Sequence, residues 1–349
     1  MAAISAIATA VPDLDFEPDY RRWALSRLGE SREAKLFERM ANRSGIEHRW
    51  SILDAEDARL DEGVGFYGGE APSTAARMAI YAEAAPELAL RAIAGLPELG
   101  KPTHLVVASC TGFVAPGIDQ VIARRLGLGD DVERVLVGFM GCYAAVTALR
   151  TARHIVRSEP DARVLVVTVE LSSLHHQEEM DLEPLLMGAQ FGDGAAAAIV
   201  TGNEPGLALG EGISAALPDS EDLITWRIGD TGFHMRLSGE VPGRIAAALA
   251  DPAVQRRITG GWPPEDIAAW AVHAGGRSIL DAVEKGLRLA PTALDESREV
   301  LRMCGNMSSS TLMFALKAIL RGRPESGVAL AFGPGLAMEG FRFGWRDAG

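Results

Sequence analysis

Short apolar, β-branched runs alternate with helix-period segments along most of this chain, and that alternation restricts the fold more than any other feature. Arg163–Val169 (Arg-Val-Leu-Val-Val-Thr-Val) is apolar without a break, as in a strand buried on both faces. His104–Ser109, Arg134–Phe139 and Ala195–Thr201 read the same way in the first half, and Ala268–Val272, Val328–Phe332 and Ala337–Phe343 in the second. Between them lie helical segments at Thr74–Ala94, Gly117–Leu126, Cys142–Arg157, Arg277–Leu287 and Ser308–Leu320, with a charged helical stretch at Arg32–Asn42. In Cys142–Arg157 the apolar positions Ala145, Leu149, Ala152 and Val156 recur at helical spacing. Strands alternating with helices predict an α/β fold with a mostly parallel sheet covered on both faces. The element order repeats, which hints at a duplicated architecture, and the Pro/Gly/Asp-rich passage Gly202–Asp222 marks the expected boundary between halves.

At 349 residues the chain is long enough for two ordinary domains. Its 48% hydrophobic and 23% charged content is that of a globular protein, and no apolar run approaches the roughly 20 residues of a membrane span. The apolar N-terminus lacks preceding basic residues and reads as a first strand, not a signal peptide. Cys110, Cys142 and Cys304 are too few and too scattered for a disulfide framework or a zinc spacing, so a reducing, cytoplasmic setting is expected. A net charge of −13 argues against nucleic acid as a partner, and any anionic ligand needs a local basic patch.

Three polar residues stand at strand ends or helix starts. Cys142 follows Gly141 between a strand and a helix, where a helix N-terminus favours thiolate. By itself it is more commonly an inert buried thiol. His273 ends a strand before Ala274-Gly275-Gly276, the edge at which open α/β sheets bind ligands; a core histidine is an even alternative. Asn306, ahead of Ser308-Ser309-Ser310, taken alone reads better as an N-cap. Together they supply a nucleophile, a base and an oxyanion donor.

These motifs resemble a known family. Gly141-Cys142, His273-Ala274-Gly275-Gly276 and Gly305-Asn306-Met307-Ser308-Ser309 are similar to the three catalytic motifs of the type III polyketide synthases, the chalcone synthase-like group. Gln190-Phe191-Gly192-Asp193-Gly194 and the Phe332-Gly333-Pro334-Gly335 closing loop extend the likeness, in order, from Ile4 to Phe343. The resemblance implies a thiolase-like fold: two βαβαβαββ halves, 1–203 with the cysteine and 204–349 with the histidine and asparagine, in a five-layered α-β-α-β-α core. It further implies a homodimer, no cofactor and no metal. Cys142 would carry an acyl chain from an acyl-CoA starter, while His273 and Asn306 would hold the thioester carbonyl of malonyl-CoA as it loses CO₂.

Phe191 and Phe233 match the gatekeeper phenylalanines, with core packing as the plainer alternative. Arg39 and Arg43 match basic residues for coenzyme A, joined by Gly275, Gly276 and Ser278. The third basic position is Leu36, a departure beside Lys35. Cys110, Thr111, Ala115, Ser172, His175 and Trp226 fall in cavity-lining positions. Trp226 stands where plant chalcone synthases carry glycine, which disfavours a coumaroyl starter, and Ala115 opens room for an acyl tail. An aliphatic starter and a pyrone- or resorcinol-type product are therefore expected. His175-His176 with Glu178, Glu179 and Asp181 fits no metal-binding spacing. The competing readings are an initiating ketoacyl synthase working with acyl carrier protein, whose histidine is typically followed by Gln-Ala-Asn, and a non-catalytic binding protein on the same fold. A papain-like protease is disfavoured by the parallel α/β pattern.

Overall fold

The computed structural model describes residues 1–60, 63–177 and 181–347. Its centre is a nine-stranded sheet. In chain order the strands are β1 (Ala3–Ala10), β2 (His104–Ser109), β3 (Glu133–Gly138), β4 (Arg163–Leu171), β5 (Asp193–Thr201), β6 (Gly206–Ala216), β7 (Ala269–Val272), β8 (Gly327–Gly333) and β9 (Ala337–Arg346). They lie side by side as β7-β8-β9-β6-β1-β5-β4-β2-β3. The two ends repeat one plan. In each, the first strand runs antiparallel to the last, the last antiparallel to the one before it, and that one parallel to an earlier strand (β1, β5, β4, β2 and β6, β9, β8, β7).

The sheet is therefore mixed, not mostly parallel. Pairing is parallel only at its two outer ends, β7-β8 and β4-β2-β3. The passage Gly202–Asp222 is likewise no plain connector, because β6 occupies Gly206–Ala216 and joins both halves by pairing with β1 and β9. Its glycines and alanines carry little hydrophobic signal, although Leu207, Leu209 and Ile213 are buried.

Layering follows from which faces are apolar. Helices α1 (Arg32–Ser44), α2 (Thr74–Ala94), α3 (Ala144–Ser158), α4 (Val241–Ala250), α5 (Arg277–Leu287), α6 (Asp295–Cys304) and α7 (Ser310–Leu320) carry the argument. α7 (Ser-Thr-Leu-Met-Phe-Ala-Leu-Lys-Ala-Ile-Leu) is apolar nearly all round, the mark of a helix covered on every side. With α3 it fills the middle layer, sharing one core with β1, β4 and β5 on one side and β7, β8 and β9 on the other. α2 covers the outer face of the first half, and α4 and α5 cover that of the second. Strand β5 shows the period-2 logic: Ala196, Ala198 and Val200 face the middle layer, and Ala195, Ala197 and Ile199 face the outer one. Such small side chains let helices approach both faces. The result is five layers, α-β-α-β-α, in a thiolase-like α/β fold.

Candidate active site

The nucleophile candidate sits on a sharp turn after β3. Phe139 and Gly141 both have left-handed backbone, at φ 56° and φ 78°, and lead into a single 3₁₀ turn, Gly141–Tyr143, from which α3 starts. A left-handed phenylalanine costs roughly 1–2 kcal/mol, and such strain collects at functional sites. Gly141 is required twice over, since a Cβ there would lie 2.4 Å from the Pro334 ring. Gly333 is equally confined, because a Cβ on it would meet the Tyr143 ring at 2.7 Å and the Cys142 backbone nitrogen at 3.4 Å. The closing loop Phe332-Gly333-Pro334-Gly335 thus packs directly on the cysteine turn. Cys110 holds the same turn from below: its Sγ accepts the Gly141 N–H (3.0 Å) and donates to the Gly141 carbonyl (3.3 Å).

Asn306 arrives from the far half. Its backbone N–H donates to the Gln190 carbonyl (2.8 Å) and its carbonyl accepts from Gly192 N–H (3.1 Å), clamping it around Phe191. Its side chain donates to the Gly275 carbonyl (3.2 Å) and accepts from Ser308 N–H (2.8 Å). Ser308, also left-handed at φ 48°, places its hydroxyl 3.8 Å from Cys142 Sγ. A Cβ on Gly275 would stand 3.3 Å from His273 Nε2. An unbroken series of contacts, Cys142–Ser308–Asn306–Gly275–His273, thus links all three candidate residues, two from strand ends and Asn306 from the end of a helix. They do not hydrogen-bond to one another.

His273 is buried, and neither ring nitrogen has a hydrogen-bond partner. Burial alone pushes its pKa down to about 3, so the imidazole is neutral at physiological pH. Burial pushes the Cys142 thiol up to about 12, and the Ser308 hydroxyl opposes this only in part. The expected thiolate at the helix start is therefore not the resting state. Loss of water outweighs the helix dipole, and thiol and imidazole are both neutral.

A cavity opens beside Cys142. Its wall includes Cys110, Thr111, Ser172, His175, Phe191, Trp226, Phe233, Ser308 and Pro334. Leu53, Leu60, Tyr67, Met187 and Ile224 also line it. His273 and Asn306 are not in this wall. Trp226 and Phe233 come from a hairpin, Ile224–Gly229 paired with Gly232–Leu237, that the apolar patterning did not reveal. Phe233 stacks on His175 at 4.2 Å between ring centres, and Trp226 meets both rings edge-on while its indole N–H donates to the Cys110 carbonyl (2.9 Å). Ala115 is exposed and outside the cavity of its own chain.

Arg39 and Arg43 are exposed on α1, and Ser278 is exposed at the start of α5. Arg277 joins these two helices by donating to the Arg43 carbonyl (3.1 Å), which brings a further arginine to the patch. Gly276, at φ 155°, has no room for a side chain beside Gln190 Oε1. Of the dismissed His175/His176 cluster, Glu178 and Glu179 lie outside the described residues. His175 itself is engaged, with Nε2 2.7 Å from the Thr111 carbonyl and Nδ1 accepting from Phe233 N–H.

One buried group was not anticipated. Glu170, at the end of β4, accepts from Cys110 N–H (2.9 Å), Thr111 hydroxyl (3.0 Å) and Ser309 hydroxyl (2.5 Å). Burial raises its pKa to about 7. A lone acid directly after the apolar run Arg163–Val169 was the available signal. Together with Asp193, raised to about 6 by burial, and with His175, His176 and His273, depressed to about 4, 3 and 3, it sets an acid response. Near pH 5 the unfolded chain protonates the three histidines and the folded chain does not. The folded chain instead keeps protons on the two carboxyls. The unfolded state so binds about one proton more, and stability falls, on the order of 1 kcal/mol per pH unit, as pH drops from 6 to 4.5. Urea midpoints at pH 7, 6 and 5 measure this. His273→Asn removes one histidine from the balance and flattens the slope; an unchanged slope in that variant contradicts the assignment.

Two stacked α/β halves around a buried helix pair, with a cysteine on a strained turn at their junction, define a thiolase-like condensing enzyme. Comparison with known families agrees. The chalcone and stilbene synthase N-terminal domain matches residues 1–205, and the chalcone and stilbene synthase C-terminal domain matches residues 208–343. The chain is 33% identical to "Alpha-pyrone synthesis polyketide synthase-like Pks18" of Mycobacterium tuberculosis, covering 98% of this chain and 91% of that one. It is 35% identical to the bisdemethoxycurcumin synthase of Oryza sativa subsp. japonica, over 97% and 91%. Among solved structures, the 1,3,6,8-tetrahydroxynaphthalene synthase of Streptomyces coelicolor superposes with a TM-score of 0.88 at 27% identity, covering 99% of this chain and 100% of that one. This chain belongs to the chalcone and stilbene synthase family, the type III polyketide synthases, and is an enzyme of the acyltransferase class. No helix among the described residues is long and apolar enough to cross a membrane.

Proposed function

We propose that the enzyme loads an acyl group from an acyl-CoA onto Cys142 and extends it with units from malonyl-CoA. The observation that carries this reading is the buried, unpartnered His273 joined through Gly275, Asn306 and Ser308 to the cysteine. Leaving such polar atoms unpaired costs about 1–3 kcal/mol each, which a substrate oxygen or the Cys142 sulfur recovers. A neutral imidazole accepts at one nitrogen and donates at the other. Accepting, it takes the Cys142 proton while the sulfur attacks the starter carbonyl, and the coenzyme A thiolate leaves with that proton. Donating, it shares the malonyl thioester oxygen with the Asn306 amide. When the bond to the carboxylate breaks and CO₂ departs, its electron pair becomes an enolate on that oxygen. The enolate carbon attacks the Cys142 thioester, a carbon–carbon bond forms, and the cysteine sulfur is released for the next round.

Phe191 and Phe233 serve as apolar gatekeepers beside the cysteine, where a poorly solvated carboxylate is more readily lost. Arg39, Arg43 and Arg277 supply the local positive charge that an overall charge of −13 makes necessary for coenzyme A, alongside Gly275, Gly276 and Ser278. Residues 1–203 and 204–349 act as the two halves, and the working unit is a homodimer. The starter is aliphatic and the product a pyrone or resorcinol. Leu53, Leu60, Met187 and Ile224 in the cavity support the first choice, and the pyrone named for the mycobacterial relative supports the second.

Incubation with a panel of aliphatic and aromatic acyl-CoAs plus malonyl-CoA, read by product mass, tests the assignment. Extension of aromatic starters alone rules out the aliphatic reading. Trp226→Gly removes a bulky wall and is expected to raise kcat/KM for an aromatic starter, relative to an aliphatic one, by about tenfold or more, as for other pocket side chains worth 1–3 kcal/mol. An unmoved ratio takes Trp226 out of starter selection.

A further inference from the structure

Far from the cysteine, the chain brings a histidine and two glutamates together where three elements end. His104 opens β2, Glu133 opens β3, and Glu159 is the C-cap of α3, the helix whose other end begins at the Cys142 turn. The carboxylate oxygens of Glu133 and Glu159 each lie 3.8 Å from His104 Nε2, and all three atoms fall within 4.8 Å of one another. The glutamates are largely exposed, but the His104 side chain is only 6% exposed.

The hydrogen bonds of Thr103 fix the imidazole. The Thr103 hydroxyl accepts from Arg163 N–H (3.1 Å) and donates to the Arg163 carbonyl (3.3 Å), which uses its only proton. The same hydroxyl lies 2.8 Å from His104 Nδ1 and so holds the ring in place. That leaves Nε2 facing the two carboxylates at 3.8 Å, with no hydrogen-bond partner among the described residues. The 3.8 Å separations are beyond direct hydrogen-bonding distance and leave the space between the three atoms open.

A metal ion fits that space. For sides of 3.8, 3.8 and at most 4.8 Å, the point equidistant from the three atoms lies no more than about 2.5 Å from each. Zinc bonds to imidazole nitrogen and carboxylate oxygen at about 2.0–2.2 Å, so small side-chain rotations close the gap. The ring nitrogen opposite the metal would already be tied to a second-layer hydroxyl, much as most metal-bound histidines are held by an outer partner. The carbonyl end of α3 adds a favourable potential for a cation. We infer that His104, Glu133 and Glu159 form a surface site for a first-row divalent cation such as zinc, with solvent completing the coordination. Bound there, the ion ties the end of the cysteine-bearing helix to two strands of the sheet.

Titration of chelator-treated, full-length protein with zinc chloride, followed by calorimetry, tests the site. The wild type is expected to bind one equivalent at these residues with micromolar affinity, and saturating zinc to raise Tm by about 5 °C. The pair Glu133→Gln/Glu159→Gln changes only exposed side chains and so keeps the fold; it is expected to weaken that equivalent at least thirtyfold and to abolish the Tm shift. His104→Gln gives the same loss. Cobalt bound at this site gives no thiolate charge-transfer band, which separates it from binding at the cysteines. Zinc affinity unchanged in the double variant, or no binding by the wild type at millimolar zinc, overturns the inference.

Discussion

Cys142→Ala is expected to abolish polyketide formation while leaving a measurable conversion of malonyl-CoA to acetyl-CoA. The two steps draw on different atoms. Condensation needs a sulfur that holds the acyl chain and then leaves, and alanine offers neither, so product formation should fall by on the order of 10⁴ or more. Decarboxylation needs only donors at the thioester oxygen, and the side-chain contacts of Asn306 run to Gly275 and Ser308, not to the cysteine. The fold should tolerate the change, because the turn is held by Cys110 on the Gly141 backbone and by Pro334 packed on Gly141. Intact-protein mass after incubation with an acyl-CoA supplies the second readout, with acylation in the wild type and none in the variant. Acylation that persists in the variant would point to Cys110, the buried thiol bonded to the adjoining turn, and would displace Cys142 as carrier. Loss of both activities together would contradict the division of labour.

The residues that fix the fold's repeating elements were legible in the chain; those that fix strand direction were not. Thr74–Ala94 and Arg277–Leu287 were read with their observed limits because capping serine, helical period and closing positions agree in the first, and a glycine pair bounds the second. Strand direction was misjudged because a buried run such as β4 or β5 looks the same whichever way its neighbour points; antiparallel order at the centre depends on long connections that carry no local signal. β6 escaped notice because its glycines mimic a linker, and α6 because Asp295-Glu296-Ser297-Arg298-Glu299 offers only one narrow apolar face.

At the site the same division holds. Glycines confined by neighbours, Gly141, Gly276 and Gly333, marked the turns faithfully. Ser308 was visible only as part of a motif, yet it bridges cysteine and asparagine. The protonation state of Cys142 was wrongly anticipated. A helix start can be read from sequence, but the withdrawal of water that keeps Cys142 a thiol and His273 neutral depends on what folds over them from the distant half.

Asn306→Ala should then lower malonyl-CoA decarboxylation by about 10² to 10³, the usual effect of deleting one oxyanion donor. The amide at this position has a double duty. Its oxygen is occupied by Ser308 N–H, so only its NH₂ group remains to face a substrate, and one of those hydrogens already engages the Gly275 carbonyl. A single N–H is left for the thioester oxygen. Asn306→Asp keeps the acceptor for Ser308 but replaces that N–H with a lone pair and places negative charge where the enolate must form. It should therefore be slower than the alanine variant, although it preserves more of the resting contacts. The discriminating result is the alanine variant, in which a decarboxylation loss without a matching loss of thermal stability separates a catalytic amide from a merely structural one. The backbone clamp to Gln190 and Gly192 is independent of the side chain, so both variants should melt close to the wild type. Adding His273→Ala to Asn306→Ala should cost much less than the product of the two single losses, because both donors act on one oxygen and fail together. Full multiplicativity would mean that the two residues act on different atoms, and the shared oxyanion site would have to be abandoned.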